Sequence, residues 1–115
     1  MAEVFLRIVK SENPTVEDFR TMQELGFPLE NEAYYREWAG GISVYNSRDY
    51  AIRRARATDY LQGQFVVPVC IPDESKIEFR QTFRNRRHFT IYTYGAQALA
   101  LVCGAAISAR EQERD

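Results

Sequence analysis

Three short segments place polar groups inside stretches that otherwise read as buried strand. They are Arg7 within Glu3-Val4-Phe5-Leu6-Arg7-Ile8-Val9, Ser43 within Gly40-Gly41-Ile42-Ser43-Val44-Tyr45, and the patch Arg86-Arg87-His88-Phe89-Thr90-Ile91-Tyr92. A polar group in such a place must find a partner or a ligand. An arginine aimed from a sheet edge into a cleft could clamp a phosphate. As a rule, though, a lone arginine on a first strand lies along the edge with its head in water. Ser43 and Tyr45 alternate and so share one strand face, with Ile42 and Val44 on the other. The two glycines before them allow a close backbone approach or a sharp turn. The third segment, with Arg84 just before it, would gather guanidinium forks and one imidazole beside a strand end. Its plainer reading is a basic surface turn. Stacking by Phe83, Phe89 or Tyr92 would extend that segment towards RNA or a nucleotide.

Other chemistries are poorly provided for. The chain has no P-loop, no G-x-G-x-x-G turn and no H-E-x-x-H helix. A single histidine and two cysteines, Cys70 and Cys103, fall short of a metal-ligand pattern, so no metal is expected. Both cysteines sit in apolar runs and read as buried structural thiols. No spacing positions a Ser-His-carboxylate triad, and His88 as a base for Ser43 has only sheet-level plausibility.

The elements that must hold these groups change character along the chain. Residues 3–9 read as a first strand. Thr15 followed by Asp18 is a capping-box-like helix start, with Gly26 as the stop and Val16, Phe19, Met22 or Gln23, and Leu25 as a partial apolar stripe. Asn31 could cap a second short helix through Trp38, with Tyr34, Tyr35 and Trp38 on one face. After the strand Ile42–Tyr45, Ser47 caps a helix over roughly residues 48–58, with Tyr50, Ala51, Ala55 and Thr58 on its buried side. From Gly63 the period becomes that of strands, at Gln64–Ile71, Lys76–Phe83, His88–Tyr94 and Leu99–Ile107. In the second of these, Ile77, Phe79, Gln81 and Phe83 share one face and Lys76, Glu78, Arg80 and Thr82 the other. A helix at 96–103 competes with the last strand. The pattern predicts a single α+β domain over residues 1–109, with short helices of the N-terminal half packed on a mixed, mostly antiparallel sheet. Residues 110–115 read as a charged, frayed tail.

At 115 residues with 15 basic and 16 acidic side chains, the chain can bury a core and is not a basic nucleic-acid binder as a whole. Thirteen arginines against two lysines is an unusual choice of cation, favouring forked recognition of carboxylate or phosphate unless base composition alone accounts for it. The first ten positions carry too much charge for a signal peptide, and the longest apolar stretch is too short to span a bilayer, so a cytoplasmic location is expected.

The order of the pieces resembles the ADP-ribosyltransferase-like fold, including the NAD-consuming RES-type toxins. Arg7 matches the first-strand Arg of those families. Gly41-Ile42-Ser43-Val44-Tyr45, followed by the helix with Ala51, Ala55 and Ala57, is similar to their aromatic-and-Ser strand. The run from Arg7 through Asn13-Pro14-Thr15 to Trp38-Ala39-Gly40-Gly41 also resembles small uncharacterised bacterial proteins. The resemblance implies a split sheet and an NAD-like ligand. Arg7 would lie on phosphate or ribose, Ser43 would support the nicotinamide-side strand, Tyr45 or Tyr92 would stack, and His88 would lie beside the ligand. The catalytic Glu of the fold is missing. Gln97 stands in its place, and Glu78 is the other candidate, so glycosyl transfer from NAD would be weak or lost because an amide cannot offset developing positive charge.

A second expectation belongs to another class. It is a non-enzymatic domain holding RNA or a protein partner through the Arg-rich 80–87 turn and the Tyr34, Tyr35 and Trp38 face. A third is homodimerisation through an edge strand.

Overall fold

The computed structural model describes residues 3–21, 40–57, 65–82 and 85–109. Within them, six strands form one antiparallel sheet: β1 (Glu3–Val9), β2 (Ile42–Tyr45), β3 (Phe65–Ile71), β4 (Phe79–Gln81), β5 (His88–Ile91) and β6 (Ile107–Ser108). Their spatial order is β4-β5-β2-β1-β3-β6. Two helices, α1 (Arg48–Ala57) and α2 (Gly95–Leu99), and a 3₁₀ turn at Val16–Phe19 complete the described fold. The α+β class holds. The mostly antiparallel sheet also holds, since every described strand pair is antiparallel.

β1 is an interior strand. Its seven residues pair with β3 from Glu3↔Ile71 to Val9↔Phe65, while Leu6 pairs with Tyr45 of β2. Alternation then sorts the core into two layers. Phe5 and Val9 join Ile42, Val44, Val67, Val69 and Ile91 on one face, closed by Phe19 of the 3₁₀ turn and Ala98 of α2. Ile8, Tyr45 and Val66 occupy the opposite face under Ala51, Ile52 and Ala55 of α1. A strand buried on both faces explains why the 3–9 run lacks a clean polar phase.

Local chemistry sets the helix starts. The Ser47 hydroxyl accepts the Tyr50 N–H at 3.2 Å and its carbonyl accepts the Ala51 N–H at 3.0 Å, as the capping expectation required. Asp18 accepts the Thr15 N–H at 2.9 Å, the reciprocal half of a capping box. That turn is 3₁₀ and stops at Arg20, whose backbone is extended, instead of continuing as a helix. The Asp18 carboxylate is also held by the Lys10 N–H at 2.9 Å and the Ser11 hydroxyl at 3.1 Å, so it organises the whole connection from β1.

Three expected strands are shorter or different. The run at 76–83 is strand only over Phe79–Gln81, and Thr82, placed on its solvent face, is fully buried through hydrogen bonds described below. The run at 88–94 ends at Ile91. The run at 99–107 is mostly not strand. Gly95, with φ of +60°, admits a turn into the helix that carries Ala96, Ala98 and Leu99, after which Val102 makes one bridge to Val69 and only Ile107–Ser108 returns to the sheet. The second expected helix with Tyr34, Tyr35 and Trp38, the residues Phe83 and Arg84, and the charged tail lie outside the described residues.

Candidate functional site

Arg7 does not point from an edge, because β1 has a neighbour on each side. Its guanidinium is spent on backbone. Nη1 donates to the Ser43 carbonyl at 2.8 Å, while Nε and Nη2 both donate to the Asp18 carbonyl, at 3.2 and 3.0 Å. Burial lowers its pKa to about 10, opposed by Tyr45 and Asp18, which leaves it a cation at neutral pH. A planar fork bridging two carbonyls welds the 3₁₀ turn to β2.

Ser43, Tyr45, His88 and Tyr92 are related differently. The register Ser43↔Thr90 and Tyr45↔His88 puts Ser43, Tyr45, His88 and Thr90 on the α1 face, opposite Arg7 and Val44, while Tyr92 follows the end of β5. Close approach of β2 to β5 depends on Gly41. A Cβ there would collide with the Ile91 carbonyl oxygen and stand 2.7 Å from Thr90 Cγ2. The glycine pair therefore divides its work, since a Cβ on Gly40 would meet nothing.

On this face lies a buried polar chain. Thr82 Oγ1 is 2.6 Å from His88 Nδ1 and 3.0 Å from Thr90 Oγ1. The Thr82 hydroxyl owns one proton and two lone pairs, so it can donate to at most one of these neighbours. The Tyr45 ring meets His88 edge-on at 5.4 Å, and its phenol oxygen accepts a hydrogen bond from Arg54. Burial raises the Tyr45 pKa, so the phenol stays neutral. Burial, helped by the positive charges of Arg54 and Arg7, lowers the His88 pKa to about 4. An imidazole of that basicity is a poor proton acceptor at neutral pH, where a general base needs a pKa near 7.

The rim of the same face is cationic and aromatic. Arg53 and Arg87 stand over the Tyr50 ring, at 5.9 and 5.8 Å from its centroid. Asn85 donates to the Tyr50 hydroxyl at 3.0 Å, and Asn46 holds the 85–87 turn through its side chain to the Arg86 carbonyl at 3.0 Å and its N–H to the Arg87 carbonyl at 3.1 Å. Arg53, Arg86 and Arg87 are exposed, and among the described residues no carboxylate pairs with any of them. Arg80 Nε donates to the Tyr92 hydroxyl at 2.6 Å with its guanidinium 5.2 Å from that ring's centroid, so Tyr92 already carries a cation. Phe89 packs in the opposite layer, 5.0 Å from Phe5, and offers no stacking surface.

The two candidates for the catalytic position lie outside β2 and β5. Gln97 is exposed on α2, which packs on the 3₁₀ turn, and Glu78 is exposed in the lead-in to β4, its carbonyl accepting the Tyr92 N–H at 2.9 Å. Sequence reasoning overlooked Arg54 and the parts played by Thr82 and Tyr50. Asp18 was singled out as a cap, and its hydrogen bond to the Thr15 N–H bears that out. Thr82 was hidden because strand alternation assigned it to solvent.

Among the described residues, no group of three or more His, Cys, Asp or Glu could hold a metal ion, and no helix is long and apolar enough to cross a membrane. No family model, curated protein or solved structure matches the chain.

Proposed function

We propose that this chain is a non-catalytic binding domain that holds RNA through its phosphates, using the rim formed by Arg53, Arg86 and Arg87 around Tyr50. The observation that carries this reading is the pair of guanidinia on one tyrosine ring with no described carboxylate to neutralise them. Stacking on the ring orients each fork while leaving its N–H edge available for an anion. The Asn85 and Asn46 hydrogen bonds fix the turn against α1, which lowers the entropy lost on binding. With Phe89 packed into the opposite layer and Tyr92 occupied by Arg80, base stacking contributes little, so binding should depend weakly on sequence.

Fluorescence anisotropy with a labelled single-stranded RNA, from about 50 to about 200 mM salt, tests the reading. Affinity should fall steeply with salt. Combined Arg53→Gln and Arg87→Gln should lessen the log–log slope by roughly 0.7 for each phosphate that is no longer neutralised. Absence of binding at low salt, or a slope unchanged by the substitutions, would refute it.

The NAD reading, with Arg7, Ser43, Tyr45, His88 and Tyr92 around the ligand and Gln97 or Glu78 at the reacting bond, has less geometric support. Arg7 lies on the face opposite Ser43, Tyr45 and His88 and is committed to two carbonyls. Saturable heat in a calorimetric titration with NAD would restore it.

A further inference from the structure

Cys70 and Cys103 are neither buried nor isolated. Cys103 is exposed and Cys70 half-buried, which corrects the expectation of inert core thiols. Val69 and Val102 form an antiparallel bridge, flanked by hydrogen bonds from the Cys70 N–H to the Leu101 carbonyl at 2.9 Å and from the Cys103 N–H to the Pro68 carbonyl at 3.0 Å. That register sets Cys70 opposite Leu101 and Cys103 opposite Pro68, so the two cysteines stand diagonally on one side of the ladder. The Cys70 thiol is near enough to Cys103 to help raise its pKa. Two nucleophilic sulfurs far apart in sequence are thus held together, one of them open to solvent, at a place that the arginine–tyrosine rim does not use.

We infer that Cys70 and Cys103 are a reversible dithiol pair, closed to an intramolecular disulfide by small-molecule disulfides of the glutathione class. The Cys103 thiolate attacks one sulfur of oxidised glutathione. The glutathione S–S bond breaks, and one glutathione leaves and takes up a proton. Cys70, deprotonated, then attacks the Cys103 sulfur of the mixed disulfide and releases the second glutathione. Two protein thiols are oxidised and one disulfide is reduced to two thiols, so no other oxidant is required. Attack begins at Cys103 because it is the exposed member. Cys103 is exposed, and exposed disulfides are those that cellular thiols reopen. Burial and the neighbouring Cys70 thiol raise the Cys103 pKa, so exchange accelerates as the pH rises.

The test uses the full chain, folded, with excess oxidised glutathione at about pH 8.5, where a useful fraction of thiolate exists. The expected product has lost two hydrogen atoms in intact mass and titrates for no free thiol. It yields a single non-reduced peptide linking positions 70 and 103, and dithiothreitol reverses all three changes. Cys70→Ser should trap a lasting glutathione adduct on Cys103, and Cys70→Ala supplies the same measurement if the serine variant folds poorly. Persistent glutathione adducts or disulfide-linked dimers of the unmodified chain, with positions 70 and 103 unlinked, would overturn the inference. So would loss of glutathione from either Cys70 variant as fast as from the parent chain.

Discussion

Replacing His88 by glutamine separates its proton chemistry from its hydrogen bonding. The amide can still meet the Thr82 hydroxyl, which lies 2.6 Å from His88 Nδ1, but it cannot titrate. In the folded chain His88 has a pKa of about 4 against 6.5 for the free side chain, so the unfolded state binds its proton first as the pH falls. The stability contributed by neutral His88 is therefore complete above about pH 6.5 and drains away as the pH drops to about 4. A shift of this size corresponds to at most about 3.4 kcal/mol, and partial solvation of the ring reduces that to roughly 2 kcal/mol. The penalty for charging the ring comes first from its burial, then from Arg54 and Arg7, whose charges do not change in this window. Carboxylates titrate in both proteins, so the difference between them isolates His88. Urea denaturation from about pH 7.5 to about pH 4 should show the parent chain losing roughly 2 kcal/mol more than His88→Gln. Stability curves that stay parallel through that range, or an imidazole proton resonance titrating near the free value, would refute the burial account.

The remaining predictions concern the ties between elements and the cationic rim. Arg7→Met strands the Asp18 and Ser43 carbonyls and should cost about 2–4 kcal/mol in denaturant titration, while Arg7→Lys, a point donor in place of a fork, should recover less than half of that loss. Gly41→Ala forces β2 away from β5 and should cost about 1–3 kcal/mol, whereas Gly40→Ala, measured alongside, should meet no clash. Arg53→Lys with Arg87→Lys keeps both charges but loses the planar stack on Tyr50, so RNA affinity should fall while its salt slope holds.

Much of the fold could be read from local rules. Ile42 and Val44 against Ser43 and Tyr45 gave the faces of β2, Ser47 gave the start of α1, and the Thr15–Asp18 spacing gave a cap. Failures came where tertiary pairing overrode the local signal. Thr82 alternates as a solvent-side residue, yet His88 and Thr90 supply hydrogen-bond partners that let it be buried. The apolar 99–107 run carries strand-like residues, but a positive φ at Gly95 and the Ala-rich segment after it favour one helical turn before the chain rejoins the sheet. The candidate site was legible only in part, since Ser43, Tyr45 and His88 do share a face. Arg7 was misplaced because strand order is not written in the strand that carries it. Only the later pairing with both β2 and β3 makes β1 interior.

The arginine excess acquires a physical sense once its members are sorted by what their forks touch. Arg7 bridges two backbone carbonyls, Arg56 donates to the Ala109 carbonyl at 2.8 Å, Arg54 holds the Tyr45 phenol and Arg80 the Tyr92 hydroxyl. Each of these joins segments distant in sequence, and each uses a rigid planar donor where a lysine ammonium would give a single, strongly hydrated contact. Arg53, Arg86 and Arg87 make no such tie to a described carboxylate or carbonyl through their side chains, and two of them rest on the same ring. Guanidinia that cross-link a fold need no outside partner. Two exposed guanidinia resting on one ring are like charges, and an anion that reached both would offset their repulsion. This division, more than the number of arginines, is what supports the proposed binding surface at Tyr50 over one at Arg7.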